Sequence, residues 1–274
     1  MSGHQIVQTV PAVGLAEVQP GAAPFKNNNI NNTFIGLIET GVGRPSKAII
    51  KDLPQKELAN EVLAAALALS LGLPVPRPFL AVASSTVLPG YKAPLLSNGA
   101  RVFFASELQG TPPVAQICTQ AGAGWDLILD RLTGWAKLSE AFLFDTWVAN
   151  TDRHMNNLLF DGNNAVWLID HGRCFTGEAW VANSLRADGV YQNRLTEWLT
   201  PRLAPSQRAH LVREASTFPT RSAGVDLDET ARANRVINLL SAGDLVSLLQ
   251  FLKDRCQHVP LLATSAIGLP RLVP

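Results

Sequence analysis

Residues 150–172, NTDRHMNNLLFDGNNAVWLIDHG, place two apolar runs, LLF at 158–160 and AVWLI at 165–169, on either side of DGNN. An Asp-Gly turn between two β-prone runs closes a tight hairpin, and closure dictates which flanking residues meet. Asn157 just precedes the first run and Asp170 just follows the second, so antiparallel pairing brings them together at the open end, within a residue or so of register. Asp152 lies in the loop that feeds the hairpin and can reach the same place. An unpaired charge buried beside such apolar sequence costs several kcal/mol, roughly, so these polar side chains either face solvent or hold something.

An amide oxygen beside a carboxylate makes a hard-oxygen site that suits Mg²⁺, which takes a few protein oxygens together with substrate phosphates. A further carboxylate nearby, not bound to metal, is placed to accept a proton or orient a hydroxyl. D-x-x-x-x-N followed by D-x-G is the pattern of a phosphoryl-transfer loop. Two other fates stay open: a solvated loop with an Asx-capped hairpin, and a transition-metal site of a hydrolase built from His154 and His171 with Asp152 and Asp170.

The rest of the chain predicts an α+β protein. Residues 1–26 mix apolar and turn residues, and KNNNINNT at 26–33 reads as a polar loop. FIGLIET and KAIIKDL read as strands joined by TGVGRPS at 40–46, a Gly-containing hairpin turn. QKELANEVLAAALALSLG has helical spacing at Leu58, Val62, Ala65 and Leu69, with Gly72 as its natural C-terminal cap. Strands follow around 79–83 and 101–108, giving a mainly antiparallel sheet with one helix. Beyond QGTPPV the patterns turn helical, with one continuous apolar pattern over NRVINLLSAGDLVSLLQFLKDRC. Two lobes result, with residues 110–113 as connector.

Net charge is +1 with no basic run, so nothing marks a nucleic-acid or anionic-membrane surface. Cys118, Cys174 and Cys256 are odd in number and far apart, which speaks against a disulfide framework and for a reducing compartment. The N-terminus lacks the pattern of a signal peptide, and the longest uncharged apolar run is too short to span a bilayer. A cytoplasmic, soluble protein is expected.

TDRHMNNLLF followed by LIDHG resembles the catalytic and metal-binding segments of HipA-like kinases and, more distantly, phosphatidylinositol 3/4-kinases, in which D-R-H-x-x-N stands where ordinary protein kinases carry H-R-D-x-x-x-x-N. AIIKDLPQKELANEVLAAALALSLGLPVP is similar to the family's strand lysine, the helix with its N-E pair, and the G-L-x-V-P exit. The resemblance covers about residues 34–175.

It implies a two-lobed, protein-kinase-like fold, with an N-terminal lobe over 1–110 and a helical C-terminal lobe over 111–274. It implies transfer of the ATP γ-phosphoryl group to a hydroxyl, of a protein Ser or Thr. Lys51 would contact the nucleotide phosphates and Glu61 would be its ion-pair partner, with Glu57, one turn away, as rival. Asp152 would be the catalytic base, Asn157 and Asp170 the Mg²⁺ ligands, and Glu107 and Leu108 the hinge residues that offer backbone hydrogen bonds to adenine. Apart from the resemblance, the TGVGRPSK loop with Gly41 and Gly43 could cover phosphates through backbone N–H groups, with Lys47 adding charge. Arg153 and His154 would support the loop. The family also implies a small DNA-binding antitoxin as partner and makes Thr40 and Ser46 candidate autophosphorylation sites.

The sequence departs from ordinary protein kinases in three places: His171 stands where they carry Phe, no A-P-E segment follows, and TGVGRPSK is not G-x-G-x-x-G. The divergent phosphate loop leaves a pseudokinase or nucleotide-binding regulator as an alternative, against which the intact Lys51, Asp152, Asn157 and Asp170 argue.

Overall fold

A computed structural model describes residues 10–25, 32–41, 43–110, 125–160 and 165–268. The expected loop at 26–33, the connector beyond residue 110, Cys118 and the DGNN turn lie wholly or largely outside them.

The N-terminal half is a sheet that closes on itself. Its strands are β1 (Gly14–Val18), β2 (Ala23–Pro24), β3 (Thr33–Glu39), β4 (Ser46–Lys51), β5 (Pro78–Ala83) and β6 (Arg101–Glu107). The order is β1-β5-β6-β4-β3-β2, and an additional β1–β3 pairing shuts the barrel. All pairs are antiparallel except β1 with β5, where Gly14 to Glu17 run alongside Phe79 to Val82. The expected mainly antiparallel sheet is therefore present, with two features the expectation lacked, closure and one parallel pair. Both come from β1, whose GLAEV shows only a short apolar alternation next to the turn residues that follow.

Period-two alternation sorts the side chains. Ala48 and Ile50 of β4, Phe79, Ala81 and Ala83 of β5, and Phe103 and Ala105 of β6 fill the barrel with Val18, Phe34 and Ile38. Leu80 and Phe104 point the other way, into a second core. Lys51, one residue beyond Ile50 and paired with Phe104, shares that outer face.

Helix α1 (Gln55–Ser70) covers this outer face. Apolar residues surround it except for one polar stripe, Glu57, Asn60 and Glu61, and Glu57 through Ala68 are all buried, as befits a helix surrounded by protein. It ends where Gly72, at φ +69°, adopts the left-handed conformation that a glycine tolerates without strain. Gly72 N then donates to Leu69 O and Leu73 N to Ala68 O, both at 2.9 Å, which satisfies the last carbonyls of the helix.

The C-terminal half carries α2 (Trp125–Thr133), α3 (Leu138–Trp147), the hairpin β7 (Leu158–Phe160) and β8 (Val166–Leu168), then α4 (Arg194–Leu199), α5 (Pro205–Ser222), α6 (Leu227–Ala233) and α7 (Ala242–Ala266). The apolar pattern over 234–256 is not one helix. Arg235 takes φ +60°, and Ser241 caps a fresh start by accepting from Asp244 N at 3.1 Å. One core cluster runs from α1 through α3 and the hairpin to α7. Trp147, 1% exposed, donates its indole N–H to Leu252 O at 2.9 Å and so locks α3 to α7. Among the described residues no helix is long and apolar enough to cross a membrane.

Candidate active site

Alternation along β4 puts Lys51 on the α1 side of the barrel, where Glu61 and Asp170 meet it. Lys51 Nζ lies 2.6 Å from Glu61 Oε1 and 3.0 Å from Asp170 Oδ1. Burial works against the lysine's charge, but the Asp170 and Glu61 carboxylates outweigh it and hold the ammonium well above the usual lysine range. Burial likewise disfavours the Glu61 carboxylate, and the Lys51 charge, with help from His171, overrides it and holds Glu61 well below the usual carboxylate range.

The chain turns sharply after β8 because Asp170 sits at φ +60°, a left-handed conformation that costs a non-glycine residue about 1–3 kcal/mol. That turn lets successive residues address one ion pair: the Asp170 side chain takes Lys51, and His171 N donates to Glu61 Oε2 at 2.8 Å. His171 itself is buried, with Nδ1 3.7 Å from Glu61 Oε2 and its ring edge-on to Phe144. Burial keeps its pKa below the ordinary histidine value, so the ring is neutral.

The hairpin forms in the expected register, Leu158 opposite Leu168 and Phe160 opposite Val166. Ile169 N donates to Asn157 O at 3.1 Å, so Asn157 faces Ile169 and is a neighbour of Asp170. A 3-10 turn at Met155–Asn157 delivers it. Asn157 Nδ2 donates to Asp152 O at 2.7 Å, which turns the amide oxygen away from that carbonyl.

Arg153, fully buried, rivets the mouth of the hairpin. Its Nη1 donates to Asn157 O and Ile169 O, while Nε and Nη2 take the two oxygens of Asp145 at 2.9 and 3.1 Å. Asn150 completes the network: its Nδ2 donates to Asp145 Oδ1 at 2.9 Å and its Oδ1 accepts from Asp152 N at 3.0 Å. Arg153 thus supports the loop, as the sequence suggests. His154 does so too, its ring nitrogen accepting from Asn156 N at 3.2 Å.

Glu57 and Glu61 are distinguished by packing. A Cβ on Gly172 would stand 2.8 Å from Glu57 Oε1, so Glu57 lies against the segment after Asp170 while Glu61 holds Lys51. Gly41 and Gly43 both have positive φ, +74° and +88°, with open space around them, so the β3–β4 turn needs glycine for its backbone and not for room. Lys47 beside them is exposed. Ser46 Oγ donates to Glu107 Oε1 at 3.4 Å, and Thr40 directly follows β3 on the other side of the turn. The backbone N–H groups of Glu107 and Leu108 are engaged, with Arg77 O at 3.0 Å and Lys47 O at 2.8 Å.

Three further residues support the site, of which only Asn60, in the N-E pair of α1, has a signature in the sequence. Asn60 is buried on α1; its Nδ2 reaches the carbonyls of Gly172, Cys174 and Gly177 within 3.3 Å, and its Oδ1 accepts from Trp180 Nε1 at 2.9 Å. It pins the segment after Asp170 to the helix that carries Glu61. A polar residue in a helix buried all round is the signal that marks it. Asp52 next to Lys51 accepts from the backbone N–H groups of Tyr91, Lys92 and Ala93 and anchors β4. Arg194, far along the chain, donates to Asp152 Oδ1 at 2.7 Å, and no local pattern announces it.

The donor set fits Mg²⁺. Asp170, 46% exposed on its side chain, and the Asn157 amide, which is buried, are oxygen donors of the kind that a phosphate-bound Mg²⁺ uses. Among the described residues no group of three or more His, Cys, Asp and Glu is placed to hold a metal ion. The transition-metal set of the hydrolase alternative does not assemble, because His171 faces Glu61 in the core.

Comparison with known proteins identifies a family for the chain. A curated relative, the 3-deoxy-D-manno-octulosonic acid kinase of Photobacterium profundum, is 44% identical over 45 residues, which are 16% of this chain and 19% of that relative. The match spans about a fifth of that protein's length. The family model described as HipA-like kinase matches residues 47–218, well over half of the chain, a span that contains Lys51, Glu61, Asp152, Asn157, Asp170 and Arg194 but not Gly41 or Gly43. The chain belongs to the HipA-like kinase family.

Proposed function

We propose that this kinase transfers the γ-phosphoryl group of ATP to a hydroxyl of a protein Ser or Thr, with Mg²⁺, at the Lys51–Asp152–Asn157–Asp170 site. The observation that carries the proposal is Lys51 Nζ held between Glu61 and Asp170 at 2.6 and 3.0 Å, a cation fixed beside the carboxylate that the family resemblance assigns to metal. The same reading divides the chain into an N-terminal lobe over 1–110 and a C-terminal lobe over 111–274, with the nucleotide between them.

Phosphoryl transfer leaves the protein mostly positioning and charge to supply. Lys51 neutralises phosphate oxygens, and Glu61 keeps its ammonium in place. Mg²⁺ on Asp170 and Asn157 would offset the charge of the β- and γ-phosphates. Asp152 aligns the accepting hydroxyl; as the new O–P bond forms and the bond to the β,γ-bridging oxygen breaks, the hydroxyl proton passes to Asp152 and ADP leaves. Cover for the phosphates comes from the Gly41–Gly43 turn. Since both hinge amides are engaged within the protein, adenine is read by other groups there, the carbonyls of Glu107 and Leu108 being the nearest acceptors.

The test compares wild type with Asp152→Ala for Mg²⁺-dependent ATP binding and for γ-phosphate transfer to cell-extract protein. Wild type is expected to bind and transfer, and the variant to bind without transfer. A wild type that neither binds nor transfers refutes the proposal, and binding without transfer in both favours the nucleotide-binding regulator. The relative's name supports a second reading, a sugar hydroxyl as acceptor. An arm with 3-deoxy-D-manno-octulosonic acid in place of extract decides between the two.

A further inference from the structure

Asp152 is held from outside its own loop. Its Oδ1 accepts from Arg194 Nη1 at 2.7 Å, while His154 Nε2 and Arg173 Nε stand 3.8 and 3.9 Å from Oδ2. The latter two distances exceed hydrogen-bond reach, so Oδ2 is the oxygen that an incoming hydroxyl can use.

The fold delivers Arg194 with care for its position. Arg194 opens α4, and Asn193 before it caps the helix by accepting from Leu195 N at 3.1 Å. Asn193, itself buried, reaches back to Phe142 O at 3.4 Å and Thr146 Oγ1 at 3.2 Å on α3. The preceding turn offers the carbonyls of Ala187 and Gly189 to Arg255 Nη1 at 3.0 and 2.8 Å. Arg255, buried on α7 and stacked against Tyr191, also donates through Nε to Thr146 O at 2.8 Å. Thr146 is therefore gripped from both sides, and the segment that ends at Arg194 is tied to α3 and α7 before it meets Asp152.

We propose that Arg194 is a positioning residue for phosphoryl transfer: by occupying Oδ1 it fixes the Asp152 carboxylate so that Oδ2 faces the accepting hydroxyl. This rests on the kinase proposal above. A carboxylate turns easily about its terminal torsion, which has broad wells, and a guanidinium on one oxygen removes that freedom. The nucleotide contacts come from Lys51 and Asp170 and do not involve Arg194, so its loss acts on the transfer step and not on ATP binding.

Wild type, Arg194→Ala, Arg194→Lys and Asp152→Ala are compared with γ-labelled MgATP, counting label moved to extract protein and to water. Arg194→Ala is expected to lose roughly 100-fold in kcat with the KM for ATP nearly unchanged, the cost of misplacing a reacting group by about 1 Å. Arg194→Lys, which keeps one N–H for Oδ1, retains part of the rate, and added guanidinium ion restores part of it to Arg194→Ala but none to Asp152→Ala. An unchanged or raised kcat in Arg194→Ala overturns the inference. So does a Lys variant no better than Ala together with no response to guanidinium, which would mark a merely structural pair. If Arg194→Ala melts far below wild type, Arg194→Gln replaces it with the same outcomes. A wild type without transfer sinks the kinase proposal itself, whereas an active wild type, a dead Asp152→Ala and a normal Arg194→Ala sink only the role of Arg194.

Discussion

Asp145→Asn isolates the ion pair beneath the catalytic loop. Asp145 and Arg153 are both wholly buried, and the guanidinium uses both carboxylate oxygens as well as Asn157 O and Ile169 O. The amide is the same size, so packing is kept, but the counter-charge is lost and an NH₂ group faces a guanidinium N–H. Removing one partner of a buried pair costs about 3–5 kcal/mol, because the other charge stays buried and uncompensated. A chain of this size loses about 2–4 °C of Tm per kcal/mol, which predicts a fall of about 6–20 °C. Thermal unfolding followed by circular dichroism measures it. A double variant, Asp145→Leu with Arg153→Met, removes both charges and is expected to be more stable than either single variant, since no orphaned ion remains. A fall in Tm below about 2 °C for Asp145→Asn, or simple additivity in the double variant, would refute the view that this pair is a buried, mutually dependent rivet.

Two further outcomes follow from the Glu61 cluster. Lys51→Met abolishes transfer and also destabilises by about 3 kcal/mol, because Glu61, 1% exposed, loses its cation and keeps, among the described residues, the His171 backbone N–H and ring; adding Glu61→Gln recovers stability in urea unfolding but not activity, and a Lys51→Met protein as stable as wild type would contradict this. His171 has a folded pKa below its unfolded value of 6.5, with burial as the leading cause. The unfolded chain then binds more protons below about pH 6.5, so stability falls as pH drops through that value by up to about 1.4 kcal/mol per unit until the folded pKa is reached. His171→Phe, which cannot titrate and leaves no buried Nε2 without a partner, flattens that slope below about pH 6.5, and parallel stability curves for the two proteins would count against it.

Lys51 shows how far local pattern reaches. Alternation in KAIIK opposes it to Ile50 on the strand, and the helix that follows supplies acids on one face, but that the lysine pairs with a glutamate there is legible only from the resemblance to HipA-like kinases. Which glutamate is not: positions 57 and 61 are one turn apart and share a face. The choice falls to Gly172, whose missing side chain lets Glu57 pack against the backbone at that point and leaves Glu61 to Lys51.

Features that depend on neighbours within roughly a dozen residues are written in the chain itself. The hairpin register that brings Asn157 beside Asp170, the α1 helix with its Gly72 terminus, and the strands from β3 to β6 all rest on periodicity and turn chemistry. Other features exist only once distant segments pack. β1 has too few residues to declare itself, and it becomes a strand only because β5 and β3 offer open edges to pair with. The left-handed Asp170 is tolerated only because Lys51, Glu61 and Asn60 hold the residues around it. Arg194 reaches Asp152 across 42 residues of chain, through a turn fixed by Arg255 on the last helix. A contact of that separation leaves no period in the sequence, because its geometry is set by the packing of α3, α4 and α7.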